Sequence, residues 1–263
     1  MPVAGSQATI RAQTALFTRG TVGVAPLAYS ENAPAFARHG HSGAPLDCGT
    51  DTLPGALTDA IVANPNNPTA ERIDRTRLLR WHAQLVARGG ALIVDEAFAD
   101  AESAAHASLA ADTHRDGLVV LRSVGKFFGL AGVRAGFALA APALLARLRD
   151  ALGAWTVSGP ARHAVLAAFA DAAWQHAMRE RLAHDGARLA ALLRAPASSR
   201  TRRRFSAGAP IRARTRCTTR TRSRRAESGR ATSRTRRACA SGCPPATTTG
   251  GGSNARSPSA CRR

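Results

Sequence analysis

Lysine is all but missing from this chain of 263 residues: Lys126 stands alone among 37 basic side chains, the others being arginine. Arginine keeps its proton at ordinary pH, so any chemistry that needs a deprotonated side-chain amine is confined to that one position. Tyrosine is as scarce, with Tyr29 its single instance. No apolar run is long enough to span a bilayer and no signal peptide opens the chain, so a membrane-spanning or exported protein is not expected. Cysteine is sparse too. Cys48 is alone in the first 194 residues, while Cys217, Cys239, Cys243 and Cys261 lack a partner histidine and paired Cys-x-x-Cys spacing. That excludes a disulfide scaffold and predicts no metal site. A reducing, cytoplasmic location with no membrane partner is expected.

Acid is missing from one stretch. Residues 195–263 hold 18 arginines against a single acid, Glu227, which is +17 of the whole-chain +20. Residues 1–194 carry the remaining +3, ordinary for a soluble enzyme, on a chain long enough to bury a core. The sequence therefore divides into a domain at 1–194 and an Arg-rich tail at 195–263. Phe205 and Ile211 are nearly the only large apolar residues of the tail, too few to offset its ordering entropy, so disorder is predicted. The change of material after Arg194 is abrupt enough to suggest out-of-frame translation of a GC-rich gene in place of a C-terminal small domain. The rival is a nucleic-acid-binding tail working through phosphate contacts, which lacks interleaved aromatics and a folded reader motif.

What is present in the first 194 residues is an alternation of short elements. Met1 to Ala8 leads through Gly5, Ser6 and Gln7 into helix-compatible sequence at Ile10–Phe17, and no strand is expected before that turn. A loop entering a helix offers free backbone N–H groups and a positive dipole end to a phosphate. Strands are predicted at 20–25, 59–63, 91–94, 118–121 and 135–140, and helices at 30–39, 74–88, 142–152, 160–172 and 174–193. Such alternation predicts an α/β fold, a mostly parallel sheet covered by helices on both faces. Strand ends carry the polar residues: Asn67 within Asn64-Pro65-Asn66-Asn67-Pro68-Thr69, Asp95 after an apolar run, and Ser123 and Lys126 after another, with Arg134 beyond. Ligands bind at that edge of open α/β sheets.

A lone lysine, a buried acid, an amide, one aromatic, and a serine, an arginine and a helix start for an anion are together what pyridoxal phosphate requires. The motifs Asn67-Pro68-Thr69, Asp95-Glu96-Ala97-Phe98, Ser123-Val124-Gly125-Lys126 and Gly132-Val133-Arg134-Ala135-Gly136 resemble those of the fold-type I, class I/II aminotransferases. Within that superfamily, LRSVGKFFGLAGVRAGF, DEAFAD and Trp155-Thr156-Val157-Ser158-Gly159-Pro160 are most similar to the threonine-phosphate decarboxylases of cobalamin biosynthesis. The resemblance covers residues 2–194.

The resemblance implies a pyridoxal-phosphate-binding large domain with Lys126 as the cofactor lysine and general acid or base. It implies Asp95 at the pyridine nitrogen, Asn67 at the ring oxygen, Tyr29 stacked on the ring, and Gly5, Ser6, Gln7, Ser123 and Arg134 around the cofactor phosphate. The implied reaction is decarboxylation of L-threonine O-3-phosphate, a phosphorylated amino acid, to aminopropanol phosphate, in a homodimer. A histidinol-phosphate-type aminotransferase is the alternative, although that relative more often has serine or threonine at position 125 and tyrosine at position 98. Ala70 stands where glycine is usual, which predicts strain in that turn. The N-terminal arm and the small domain that binds the substrate carboxylate are expected to be missing, so the chain is expected to begin within a domain and to fold poorly.

Overall fold

Alternation within short β-branched runs decides the architecture. The computed structural model describes residues 1–102 and 108–194, so the expectations for the Arg-rich tail lie outside the described residues. The chain forms β1 (Pro2–Val3), α1 (Ser6–Gln13), β2 (Thr21–Val24), α2 (Asn32–Ala37), β3 (Ser42–Pro45), β4 (Asp59–Ala63), α3 (Arg75–Val86), β5 (Leu92–Asp95), β6 (Leu118–Ser123), β7 (Gly136–Ala140), α4 (Pro142–Leu152), α5 (Gly159–Ala170) and α6 (Ala172–Arg194). In β4, Ala60 and Val62 belong to one apolar layer and Ile61 to the other. β5 repeats this with Leu92 and Val94 against Ile93, and β6 with Leu118 and Val120 against Val119 and Leu121. Strands apolar on both faces must be covered on both.

One layer is supplied by α3, whose Leu78, Trp81 and Leu85 recur at helical spacing and are fully buried. Asp74 starts that helix by accepting a hydrogen bond from the Arg77 backbone N–H at 2.9 Å, and the indole of Trp81 donates to the Thr50 carbonyl at 3.0 Å. The opposite layer holds Ile10 of α1, Phe36 of α2 and Leu148 of α4. The seven strands run in the order β1-β7-β6-β5-β4-β2-β3. β3, β2, β4, β5 and β6 are mutually parallel, whereas β7 is antiparallel to both β6 and β1. The register Ala63 to Asp95 to Leu121 brings the C-terminal ends of the three central strands to one edge.

Three expectations need correction. A strand does precede the Gly5 turn: Pro2 and Val3 pair with Phe137 and Gly136. Two residues are too short to show a period of two, so β1 leaves no sequence signal. β3 is likewise additional to the predicted strands, because Ser42-Gly43-Ala44-Pro45 is an edge strand with largely exposed residues and no apolar alternation. The helix-compatible stretch read at Ile10–Phe17 starts and stops earlier: α1 runs from Ser6, with Gly5 in the N-cap position at φ 83° where the loop was expected to enter a helix, to Gln13.

Candidate active site

The central strands end in an open cleft, and all nine residues singled out from the sequence line it: Gly5, Ser6, Gln7, Tyr29, Asn67, Asp95, Ser123, Lys126 and Arg134. Apart from Phe98, the lining residues that sequence reasoning missed are small: Ala63, Ala97, Gly125, Ala131 and Ala135. Their signal is only that each lies within four residues of a polar cleft residue in sequence.

Asp95 is the last residue of β5 and is almost wholly buried. Its Oδ1 accepts one hydrogen bond, from the Ala97 backbone N–H at 3.1 Å. Burial pushes its carboxyl up to about 6, opposed in part by the Ala97 N–H and the Lys126 charge. Among the described residues no cation touches this carboxylate, which leaves it able to pair with a protonated nitrogen. Lys126 sits in the turn after β6, with Nζ 5.4 Å from the centre of the Phe98 ring. A tyrosine at position 98 would add a hydroxyl to this ring; phenylalanine leaves only the aromatic face under the amine.

One end of the cleft is built from glycine geometry. Gly5, at φ 83°, caps α1 without any side-chain cap, so the N–H groups of Ser6 and Gln7 lie in an open first turn. A Cβ on Gly5 would come within 3.1 Å of the Arg134 guanidinium, so glycine is what lets that charge lie against the helix start. Arg134 itself holds the left-handed conformation at φ 55°. Its Nη1 makes one long hydrogen bond, to the Ala131 carbonyl at 3.5 Å. On the facing strand end Ser123 is buried, and its Oγ accepts from the Gly125 N–H at 3.2 Å. A side chain at position 125 would approach the Ala131 backbone at 3.2 Å, so glycine there fits this tight turn.

Tyr29 follows β2 and is partly exposed at the mouth, with its carbonyl accepting from the Asn32 N–H at 3.1 Å. Asn67 is exposed in the turn after β4, where the Asn64–Pro65 and Asn67–Pro68 peptides are both cis. Ala70 closes that turn at φ 58°, the strained conformation expected for it. Among the described residues no cluster of histidine, cysteine and carboxylate could hold a metal, and no helix is long and apolar enough to cross a membrane.

Residues 56–207 match the family described as aminotransferase class I and II. A threonine-phosphate decarboxylase of Pseudomonas aeruginosa is 46% identical over 195 residues, 74% of this chain and 58% of that protein. A histidinol-phosphate aminotransferase of Mycobacterium bovis is 38% identical over 144 residues, 51% of this chain and 38% of that protein. The crystal structure of the histidinol-phosphate aminotransferase from Clostridium acetobutylicum superposes with a TM-score of 0.66 at 19% identity, covering 73% of this chain and 60% of that one. The last likeness concerns the fold alone. The chain thus spans little more than half the length of the first relative.

Proposed function

As a member of the aminotransferase class I and II family, the chain carries a cleft that, we propose, binds pyridoxal phosphate and decarboxylates a phosphorylated amino acid, L-threonine O-3-phosphate. The observation that carries this reading is the convergence of the lone lysine, a buried carboxylate at the end of β5 and an anion cradle in a single cleft. The substrate reading draws on the 46% identity to the Pseudomonas aeruginosa decarboxylase.

The residues fit the cofactor on their own chemistry. A carboxylate buried with a single backbone N–H partner complements a protonated ring nitrogen, and an open helix start beside an arginine and a serine complements a phosphate dianion. Pyridoxal phosphate supplies an aldehyde that condenses with amines and a ring that accepts the electron pair released at the neighbouring carbon. Asp95 holds a proton at the ring nitrogen, and so needs to be ionised when the ligand arrives. Lys126 offers its amine at Nζ and, once that amine is free, carries a proton to or from the substrate carbon. Ser6, Gln7, Ser123 and Arg134 would hold the phosphate end of the cofactor, and Tyr29 and Asn67, at the mouth of the cleft, would meet its ring. The apolar face of Phe98 keeps water from one side of the amine. Which bond of the substrate breaks depends on which is held perpendicular to the ring, and that choice separates decarboxylation from amino transfer.

The test is an absorbance spectrum of the protein with added pyridoxal phosphate, beside Lys126→Ala. A band at the violet edge of the visible range, lost in the variant, is expected; its absence from the unaltered protein refutes the cofactor reading. CO2 release from threonine phosphate is then expected. Amino transfer to a 2-oxo acid without CO2 would instead favour the aminotransferase reading, which the 38% identity to the mycobacterial enzyme supports.

A further inference from the structure

Each of three cleft residues has a sequence neighbour facing away from the cleft, and those neighbours belong to one network. Glu96 follows Asp95, Arg122 precedes Ser123, and Phe127 follows Lys126. Arg122 donates from Nη1 to Glu96 Oε2 at 2.9 Å and from Nη2 to Asp100 Oδ1. Glu96 is almost completely buried, and its two oxygens also accept from the Ser108 hydroxyl at 2.7 Å and the Leu109 N–H at 2.8 Å. From α6, Arg179 donates through Nε to the Asp100 carbonyl at 2.9 Å and lies 4.9 Å over the Phe127 ring. Glu96, Asp100, Arg122 and Arg179 are all absent from the lining of the cleft.

Strand geometry explains the arrangement. Successive residues at a strand end point to opposite sides, so the residue beside each cleft residue is the natural handle on its backbone. Two apolar residues could fill the space of Glu96 and Arg122, and such replacements of buried ion pairs are often neutral or stabilising. Apolar contacts, however, tolerate small slips, whereas a forked guanidinium bound to two carboxylates fixes direction. We infer that Arg122 is a positioning residue of the cofactor site, tying the segment after Asp95 to the strand that ends in Ser123, with Arg179 extending the tie to the turn of Lys126. This inference rests on reading the cleft as a pyridoxal phosphate site.

The test measures pyridoxal phosphate affinity by visible absorbance, the circular dichroism induced in the bound chromophore, and the apo melting temperature, all on the full chain. Arg122→Met is expected to weaken binding about tenfold, the scale on which supporting-shell changes act, and to diminish the induced dichroism. Arg122→Lys keeps the charge but not the fork, and is expected to fall between. An Arg122→Met protein that melts lower yet binds with unchanged affinity and dichroism would overturn the inference, since the ion pairs would then serve stability alone. Should Arg122→Met fail to fold, Asp100→Ala, which removes one arm of the fork, decides on the same two readouts. Failure of the unaltered protein to bind the cofactor would instead sink the reading of the cleft.

Discussion

Asp95 is the residue where folding and proposed function oppose each other. Its folded carboxyl is raised from 3.8 to about 6, chiefly by burial. A raised acid favours the folded state when protonated, so its contribution is fully present below about pH 4 and is lost as pH climbs through about 6. The ionised carboxylate then costs the ligand-free fold up to about 3 kcal/mol, since each tenfold change in proton affinity is worth about 1.4 kcal/mol. Asp95→Asn keeps the shape and removes the charge. We expect its urea-unfolding free energy to match the unaltered protein near pH 4 and to exceed it by pH 7, while cofactor affinity falls. Parallel pH dependences in the two proteins would show that Asp95 does not titrate in this window. Ala70 offers a simpler contrast. Held at φ 58° in an exposed turn, it bears the Cβ penalty of the left-handed region. Ala70→Gly is therefore expected to stabilise by about 1 kcal/mol in the same unfolding assay, and a loss of stability would show that the turn is held by other forces.

At the scale of elements, stability is concentrated where the strands are hidden. Trp81 is fully buried against the sheet and hydrogen-bonded at its indole nitrogen, so Trp81→Ala is expected to lower stability by about 3–5 kcal/mol in chemical denaturation. A loss below about 1 kcal/mol would mean that α3 is not anchored by this residue. These same buried elements were legible in the sequence, because β4, β5 and β6 are short, nearly continuous apolar runs and α3 carries its apolar residues at helical spacing. The edges were not. β1 and β3 form through hydrogen bonds to a neighbour already in place, and Pro2, Gly43 and Pro45 carry no strand propensity. In the candidate site, the polar residues could be found because their chemistry is specific, and Lys126 because it is alone. Their roles toward a cofactor came from the resemblance, not from spacing. The supporting network around Arg122 was invisible, since an arginine in an arginine-rich chain carries no signal until Glu96 and Asp100 are seen to meet it.

For the molecule as a whole, the question is what joins the two distant parts of the chain that form the proposed anion cradle. Gly5 and Ser6 lie near one end of the sequence, Ser123 and Arg134 well beyond them, and Gly136 is the junction. It pairs with Val3 on one side and Ser123 on the other. A Cβ there would stand 2.8 Å from the Arg122 carbonyl and 3.1 Å from the Ser6 nitrogen, both backbone atoms that cannot swing aside. Gly136→Ala must therefore push the start of α1 away from β6, opening the cradle while leaving Asp95, Lys126 and the α3 layer untouched. The expected result is a loss of about 1–3 kcal/mol in stability, the range for overpacking. Affinity for pyridoxal phosphate should fall much more than affinity for pyridoxal, which lacks the phosphate. Equal losses for both ligands would mean that the close approach at Gly136 supports the sheet in general and not the phosphate end of the cleft.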